Sequence, residues 1–251
     1  MKSSKPALSR IGSTLLAAAA LSVLSACGGG TQQIEPFAPT RIMAFGDESS
    51  VITAEGKRYG VNGLDATTGA LVCTTNPVWV QSLAASFGMV FPQCNPDKLA
   101  TPQGLMYATP GAKVADVKAK IDAHFATGSF GPKDLVTVMV GANDVLELYG
   151  QFPTQNQETL INEARARGRA LGDQVNRIAN ANGRIVLSTL PDMGLTPFAI
   201  KEKAAKVDTD RAAFLSNLSN EFNVAMRLTI INDGRLIGLA FALPFAVFLI
   251  R

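Results

Sequence analysis

The fold is decided by the stretch Arg41-Ile42-Met43-Ala44-Phe45-Gly46-Asp47-Glu48-Ser49-Ser50. Its first half is mostly apolar and predicts a buried strand that ends at Gly46. Two acids and two serines follow that glycine directly. Ligands of open α/β sheets bind outside the carboxyl ends of the strands, so this polar cluster is a candidate site.

Strands and helices alternate along the rest of the chain. Periodicity predicts a hairpin around 54–56, helices over 79–87, 114–125, 160–178 and 214–226, and strands over 134–140, 184–190 and 235–243. Asn76 followed by Pro77 predicts the start of the first helix, with Asn76 as the N-cap. Strands separated by helices of this length favour right-handed crossovers and a parallel sheet. We therefore expect one three-layer α/β/α domain of flavodoxin-like type with a mostly parallel sheet.

Polar motifs also follow two later strands. Gly141-Ala142-Asn143-Asp144 comes after the strand over 134–140, and Leu190-Pro191-Asp192-Met193-Gly194-Leu195-Thr196-Pro197 comes after the next. A loop with the sequence Tyr107-Ala108-Thr109-Pro110-Gly111-Ala112 opens the second helix. In a parallel sheet these segments lie at one edge and are expected to converge.

In their order and spacing these motifs resemble the GDSL/SGNH esterase and lipase family. Gly46-Asp47 matches the start of its first motif, the loop around Gly111 its second, and Gly141-Ala142-Asn143-Asp144 its third. The segment 190–197 is similar to the secreted and autotransporter lipase branch. The resemblance implies a fold of SGNH-hydrolase type and hydrolysis of carboxylic esters, of lipids or other acyl esters, through a serine acyl-enzyme.

The resemblance also implies an oxyanion hole. Acyl transfer needs fixed donors where negative charge develops on the substrate oxygen. The resemblance assigns this role to the Gly111 amide and the Asn143 side-chain amide, with Asp47 and Asp144 beside them in their motifs. A purely structural role for Asn143, capping or bracing its loop, is the alternative.

The nucleophile position departs from the family. Glu48 stands where the family has its serine. A carboxylate lacks the hydroxyl that forms an acyl-enzyme, and its charge opposes a developing oxyanion. Ser49 is a candidate nucleophile if the turn is shifted by one residue.

The catalytic base is also missing. The family carries an Asp-x-x-His motif near its C-terminus, whereas this sequence ends in an apolar stretch without histidine. The one histidine, His124, lies late on a predicted helix and is expected to be structural. We therefore expect a domain over 41–251 that is truncated at its C-terminus.

The N-terminus predicts export. Basic residues precede a short apolar run that ends in Leu24-Ser25-Ala26-Cys27, which resembles the lipobox of bacterial lipoproteins. This predicts a signal peptide over 1–26, lipidation of Cys27, a tether over 27–40 and a place in the bacterial cell envelope, at the outer membrane. An ordinary secretory signal with a chance cysteine is the alternative.

The charge of the chain and a few remaining side chains limit which other ligands are expected. A net charge of +3 does not favour nucleic-acid binding. In an exported protein Cys73 and Cys94 are expected to pair, with two buried thiols as the alternative. Asp47, Glu48 and Asp144 could bind a hard cation, but acids that cap backbone amides are the favoured interpretation, so no metal or cofactor is predicted. Arg165, Arg167 and Arg169 are expected on a solvated helix face.

Two functions follow from these residues. The first is a carboxylester hydrolase of this family, weakened or inactivated by Glu48 and the missing Asp-x-x-His. The alternative is a non-catalytic, lipid-anchored envelope protein that binds an acyl or glycan ligand in the ancestral cleft.

Overall fold

The structure, a computed structural model, describes residues 36–231 and 236–240, the last five by their backbone alone. The predicted signal peptide, Cys27 and most of the predicted tether lie outside the described residues, as does the segment 241–251. None of the described helices combines the length and apolar character that crossing a membrane requires.

A five-stranded parallel sheet forms the centre of the domain. The strands of this sheet are β1 (Arg41–Gly46), β4 (Gly104–Met106), β5 (Asp134–Met139), β6 (Arg184–Ser188) and β7 (Leu236–Ala240). Their order across the sheet is β4-β1-β5-β6-β7. A separate antiparallel pair joins β2 (Gly63–Leu64) to β3 (Leu71–Val72).

Six α-helices connect and flank the strands in the described part of the chain. They are α1 (Trp79–Ser86), α2 (Val114–Thr127), α3 (Ala142–Gly150), α4 (Gln157–Asn180), α5 (Pro197–Ala205) and α6 (Arg211–Thr229). A 3₁₀ turn, Met193–Leu195, precedes α5. The expected mixed α/β fold, a parallel sheet flanked by helices, is confirmed.

The main core lies between one face of the sheet and the longer helices. Successive side chains of a strand point to opposite faces, so Met43 and Phe45 face this core together. They pack with Val136 and Val138 of β5, and with apolar side chains of α2, α4 and α6 such as Ile121, Leu171, Leu218 and Phe222. All of these side chains are almost fully excluded from solvent, which makes burial of apolar area the main stabilising contribution.

Two glycines let α4 and α6 pack closely. A Cβ atom at Gly168 would lie 2.2 Å from the carbonyl oxygen of Phe222. A Cβ atom at Gly172 would lie 2.7 Å from Cβ of Thr229. The backbones therefore approach at a distance that no larger residue allows.

A disulfide fixes the segment between the turn that follows β1 and strand β4. Cys73 and Cys94 are bonded, with their Cα atoms 5.7 Å apart. The buried guanidinium of Arg58 donates hydrogen bonds to the carbonyls of Cys73 and Thr75. These contacts hold the arm of residues 51–76, which leaves the sheet after β1 and returns at α1.

Several local predictions differ from the structure. Asn76 is not a helix cap, because it has a positive φ of 53° and α1 begins only after Val78. The predicted hairpin around 54–56 forms an isolated bridge between Ile52 and Arg58 instead of two strands. The strands β2, β3 and β4 and the helices α3 and α5 were not predicted, and β6 ends at Ser188 rather than at 190.

The close approach of α4 and α6 predicts the effect of adding one methyl group. Gly168→Ala should lower the free energy of unfolding by about 1–3 kcal/mol, because the new Cβ overlaps backbone atoms that cannot rotate away. Chemical denaturation would measure the change. Gly150→Ala is the matched control, because it adds the same methyl group to a helix where nothing lies within 4 Å. The control should be neutral or gain up to about 1 kcal/mol, and equal effects at the two positions would contradict the packing argument.

Candidate active site

A sharp turn at the end of β1 begins the site. Gly46 has a φ of +150°, and a Cβ atom there would lie 2.1 Å from the carbonyl oxygen of Met139 on β5. The Asp47 amide donates a hydrogen bond to that same carbonyl, at 3.2 Å. The turn is thereby attached to the end of β5, and only glycine fits at its first position.

Asp47 stabilises the turn from within. It is 2 % exposed, and its Oδ1 accepts a hydrogen bond from the Ser49 amide at 3.0 Å. Burial raises the pKa of Asp47 to about 6, the bond from Ser49 opposes this shift, and the neighbouring charge of Glu48 adds to it. Asp47 therefore serves as a buried acceptor within the turn.

The two serines of the turn have different surroundings. Ser50 is fully buried, and its hydroxyl accepts a hydrogen bond from Nε1 of Trp79 at 3.1 Å. Ser49 is partly exposed, and its hydroxyl, like its amide, bonds the Asp47 carboxylate and opposes the rise in the pKa of that group. Of the two hydroxyls, that of Ser49 is the more accessible.

Two neighbouring loops supply hydrogen-bond donors to this turn. The loop after β4 contains Gly111, which has a φ of +74°. Asn143 lies in the first turn of α3, which begins directly after β5. Its Nδ2 donates a hydrogen bond to the carbonyl of Ala112 at 3.2 Å, which joins the two loops.

The side chain of Glu48 reaches across both loops. Its Oε2 accepts hydrogen bonds from the Gly111 amide at 2.9 Å and from Nδ2 of Asn143 at 3.0 Å. These are the two donors that the family resemblance assigns to the oxyanion hole. A carboxylate oxygen bound by two N–H groups resembles an oxyanion in charge and in hydrogen bonding. Glu48 thus occupies both of the donors that the resemblance assigns to a substrate oxygen.

Asp144 bonds the start of α2. It is 2 % exposed, and its Oδ2 accepts a hydrogen bond from the Val114 amide at 3.0 Å. Its Oδ1 lies 3.3 Å from Nη1 of Arg167 on α4. Burial raises the pKa of Asp144, and both of these contacts oppose that shift. Asp144 therefore braces the loop that carries Gly111.

The role of Arg167 was not predicted from the sequence. The prediction of a solvated face is wrong at this position, because Arg167 is half-buried and also bonds Glu147. Glu147 in turn pairs with Lys113 at 2.7 Å. The three-residue spacing of Asp144 and Glu147, on one face of a helix, was the available signal.

His124 is buried in the core. It lies ten residues into α2, which at 1.5 Å per residue places it about 15 Å along the helix from Val114. The ring is 6 % exposed, its Nδ1 lies 2.9 Å from the hydroxyl of Tyr107, and it packs against Phe130. Its Nε2 has no hydrogen-bond partner within the described residues. The structure therefore places this histidine in an aromatic cluster of the core.

The contacts of the acidic residues bear on the alternative that Asp47, Glu48 and Asp144 bind a cation. Across the described residues, no cluster of three or more His, Cys, Asp or Glu side chains is arranged to hold a metal ion. Asp47 and Asp144 instead accept backbone amides, and Glu48 accepts from Gly111 and Asn143. The arrangement is a pair of fixed donors with a resident carboxylate.

Burial of Asp47 predicts a specific pH dependence. The pKa of Asp47 is raised to about 6, above that of an aspartate in the unfolded chain, so folding takes up a proton between about pH 4 and 6. The stability that protonated Asp47 contributes is therefore lost as the pH rises through this range. Asp47→Asn retains an acceptor for the Ser49 amide and cannot ionise. Its free energy of unfolding relative to wild type should therefore rise between pH 4 and 7, by up to about 3 kcal/mol.

A second aspartate provides the control for this measurement. Asp65 is exposed, and hydrogen bonds from Thr68 lower its pKa, so Asp65→Asn should show a nearly constant difference over the same range. Denaturation of the three proteins at several pH values would test this. A flat difference for Asp47→Asn would contradict the raised pKa.

Known structures that are similar to this chain include an esterase and a lipase. One is a variant of an acetyl xylan esterase from Geobacillus stearothermophilus, at 18% identity over 76% of this chain and 73% of that chain, with a TM-score of 0.39. The other is an extracellular lipase from Streptomyces rimosus, at 18% identity over 82% of both chains, with a TM-score of 0.41. No curated protein matches the sequence significantly.

The family itself is identified by its sequence profile. The profile described as GDSL-like lipase/acylhydrolase matches residues 42–232, which is most of the chain and includes the turn at Gly46, the loop at Gly111 and the start of α3. The chain belongs to the GDSL-like lipase/acylhydrolase family.

Proposed function

We propose that this chain is a carboxylester-hydrolase scaffold in which hydrolysis of acyl esters is weak or absent. The observation that supports this most directly is the carboxylate of Glu48 between the Gly111 amide and the Asn143 side chain. Hydrolysis through an acyl-enzyme needs a hydroxyl at the turn and free donors for the oxyanion. Glu48 replaces the residue that would carry the hydroxyl, and its carboxylate occupies both donors.

The length of the glutamate side chain explains both effects. A serine hydroxyl lies one bond from Cβ, whereas the carboxylate of glutamate lies two carbons beyond Cβ. The carboxylate therefore extends past the nucleophile position to the donors. A second negative oxygen forming there would be repelled by the resident charge.

Ser49 is the remaining candidate nucleophile, and no histidine is placed to activate it. Its amide and its hydroxyl bond the buried carboxylate of Asp47. The one histidine of the sequence, His124, lies in the aromatic cluster of the core. Without a histidine to carry its proton to the leaving group, a serine hydroxyl is a weak nucleophile at neutral pH.

The second candidate function is binding without catalysis. Gly111 and Asn143 keep donor positions that suit the carbonyl oxygen of an acyl or glycan ligand. In this proposal the protein is a lipid-anchored component of the cell envelope that retains the ancestral cleft. The presence of the donors favours binding, and the position of Glu48 disfavours turnover.

An ester assay measures how much hydrolysis remains. With p-nitrophenyl acetate, the purified wild-type protein should show no more than the residual acceleration of about 10³–10⁴-fold over water that remains when a triad is removed. Ser49→Ala should leave this rate unchanged, because Ser49 has no histidine partner. The measurement is the initial rate of nitrophenolate release at pH 7.

Two further variants serve as controls. His124→Phe should leave the rate unchanged, because the ring packs in the core and is not at the site. Glu48→Ser restores the family's hydroxyl but not its base, so it should stay far below the rate of an intact serine hydrolase. Rapid wild-type turnover that Ser49→Ala abolishes would overturn the proposal.

A further inference from the structure

We infer that Gly111 and Asn143 form a monocarboxylate-binding site, which Glu48 keeps closed as an intramolecular ligand. This inference deepens the proposed function, since it names the ligand class of the same two donors and the group that controls access to them.

The two donors are positioned by contacts that do not involve Glu48. Nδ2 of Asn143 carries two hydrogens, of which one is directed to the Ala112 carbonyl. The Thr109 amide bonds the carbonyl of Gly46 at 3.0 Å, which ties the loop before Gly111 to the end of β1. Asp144 bonds the Val114 amide on the other side of Gly111. Removal of the Glu48 carboxylate should therefore leave a preformed pair of donors.

The occupant defines the ligand chemistry. Both donors bind one oxygen of a carboxylate, at 2.9 and 3.0 Å, which are normal distances for a charge-assisted hydrogen bond. Truncation of Glu48 to alanine removes the carboxylate and its adjacent carbon. Acetate contains those same atoms and the same charge, so its binding would restore the original balance of charge beside Asp47.

Occupation by Glu48 weakens binding of any external carboxylate. Ligand affinity falls in proportion to the fraction of protein in which the site is open. A tethered group that occupies the site nine-tenths of the time would weaken external binding about tenfold. The wild-type protein should therefore respond to acetate at least ten times more weakly than a variant without the carboxylate.

The test is an acetate titration of the full chain, followed by NMR through the Gly111 amide signal. Glu48→Ala should show a saturable shift of this signal, with an apparent Kd at least tenfold lower than that of wild type. Sodium chloride at equal ionic strength should not reproduce the shift. Acetate, but not chloride, should also raise the Tm of this variant.

Matched variants make the result specific. Glu48→Gln keeps a side-chain oxygen that can accept from both donors, so it should respond more weakly than Glu48→Ala. Adding Asn143→Ala to Glu48→Ala removes one donor and should weaken the response at least tenfold. If Glu48→Ala does not fold, Glu48→Ser, with the family's own residue, takes its place in the same titration.

Two outcomes would overturn the inference. One is an equal acetate response in wild type and in the folded variant, and the other is no response in a folded variant that lacks the carboxylate. Neither outcome depends on ester turnover. Rapid hydrolysis by the wild type would refute the proposed function and leave the acetate titration to decide this inference separately.

Discussion

The parallel pairing of β1 with β4 on one side and β5 on the other determines which loops meet at the site. Because all three strands run in the same direction, the segments that follow them emerge at one edge of the sheet. The pairing of Gly46 with Met139 places the turn that carries Glu48 beside the start of α3. Residues far apart in the chain, Glu48, Gly111 and Asn143, are thereby brought within hydrogen-bonding distance.

The carboxylate of Glu48 also places a negative charge beside the donors at this edge of the sheet. In acyl transfer the donors stabilise a charge that exists only briefly, and their advantage lies in being fixed before the charge appears. Here the charge is permanent and belongs to the protein. The hydrogen bonds from Gly111 and Asn143 stabilise one conformation of the Glu48 side chain. Buried Asp47, beside Glu48, adds to the cost of placing any second anion at the turn.

Much of the fold could be predicted because it depends on local pattern, whereas the occupied donor pair could not. Apolar runs marked β1 and β5, and four-residue spacing marked α2, α4 and α6. The start of α3 was missed because Gly141-Ala142-Asn143-Asp144 was interpreted as a motif on a loop, and α5 was missed although Thr196 caps it. The contact of Glu48 with Asn143 spans 95 residues of sequence and depends on side-chain reach and loop geometry, which no periodicity encodes.

The attachment of the arm of residues 51–76 affects where the sequence of this domain could change during evolution. Its two ends are fastened by the hydrogen bond between Ser50 and Trp79 and by the disulfide between Cys73 and Cys94. The β2–β3 pair lies between these two contacts, and its connecting residues 65–70 are exposed. We expect insertions in that exposed connection to leave the turn at Gly46 unchanged. The arm is therefore the place where new recognition surfaces could arise beside the site without redesign of the sheet edge that supports it.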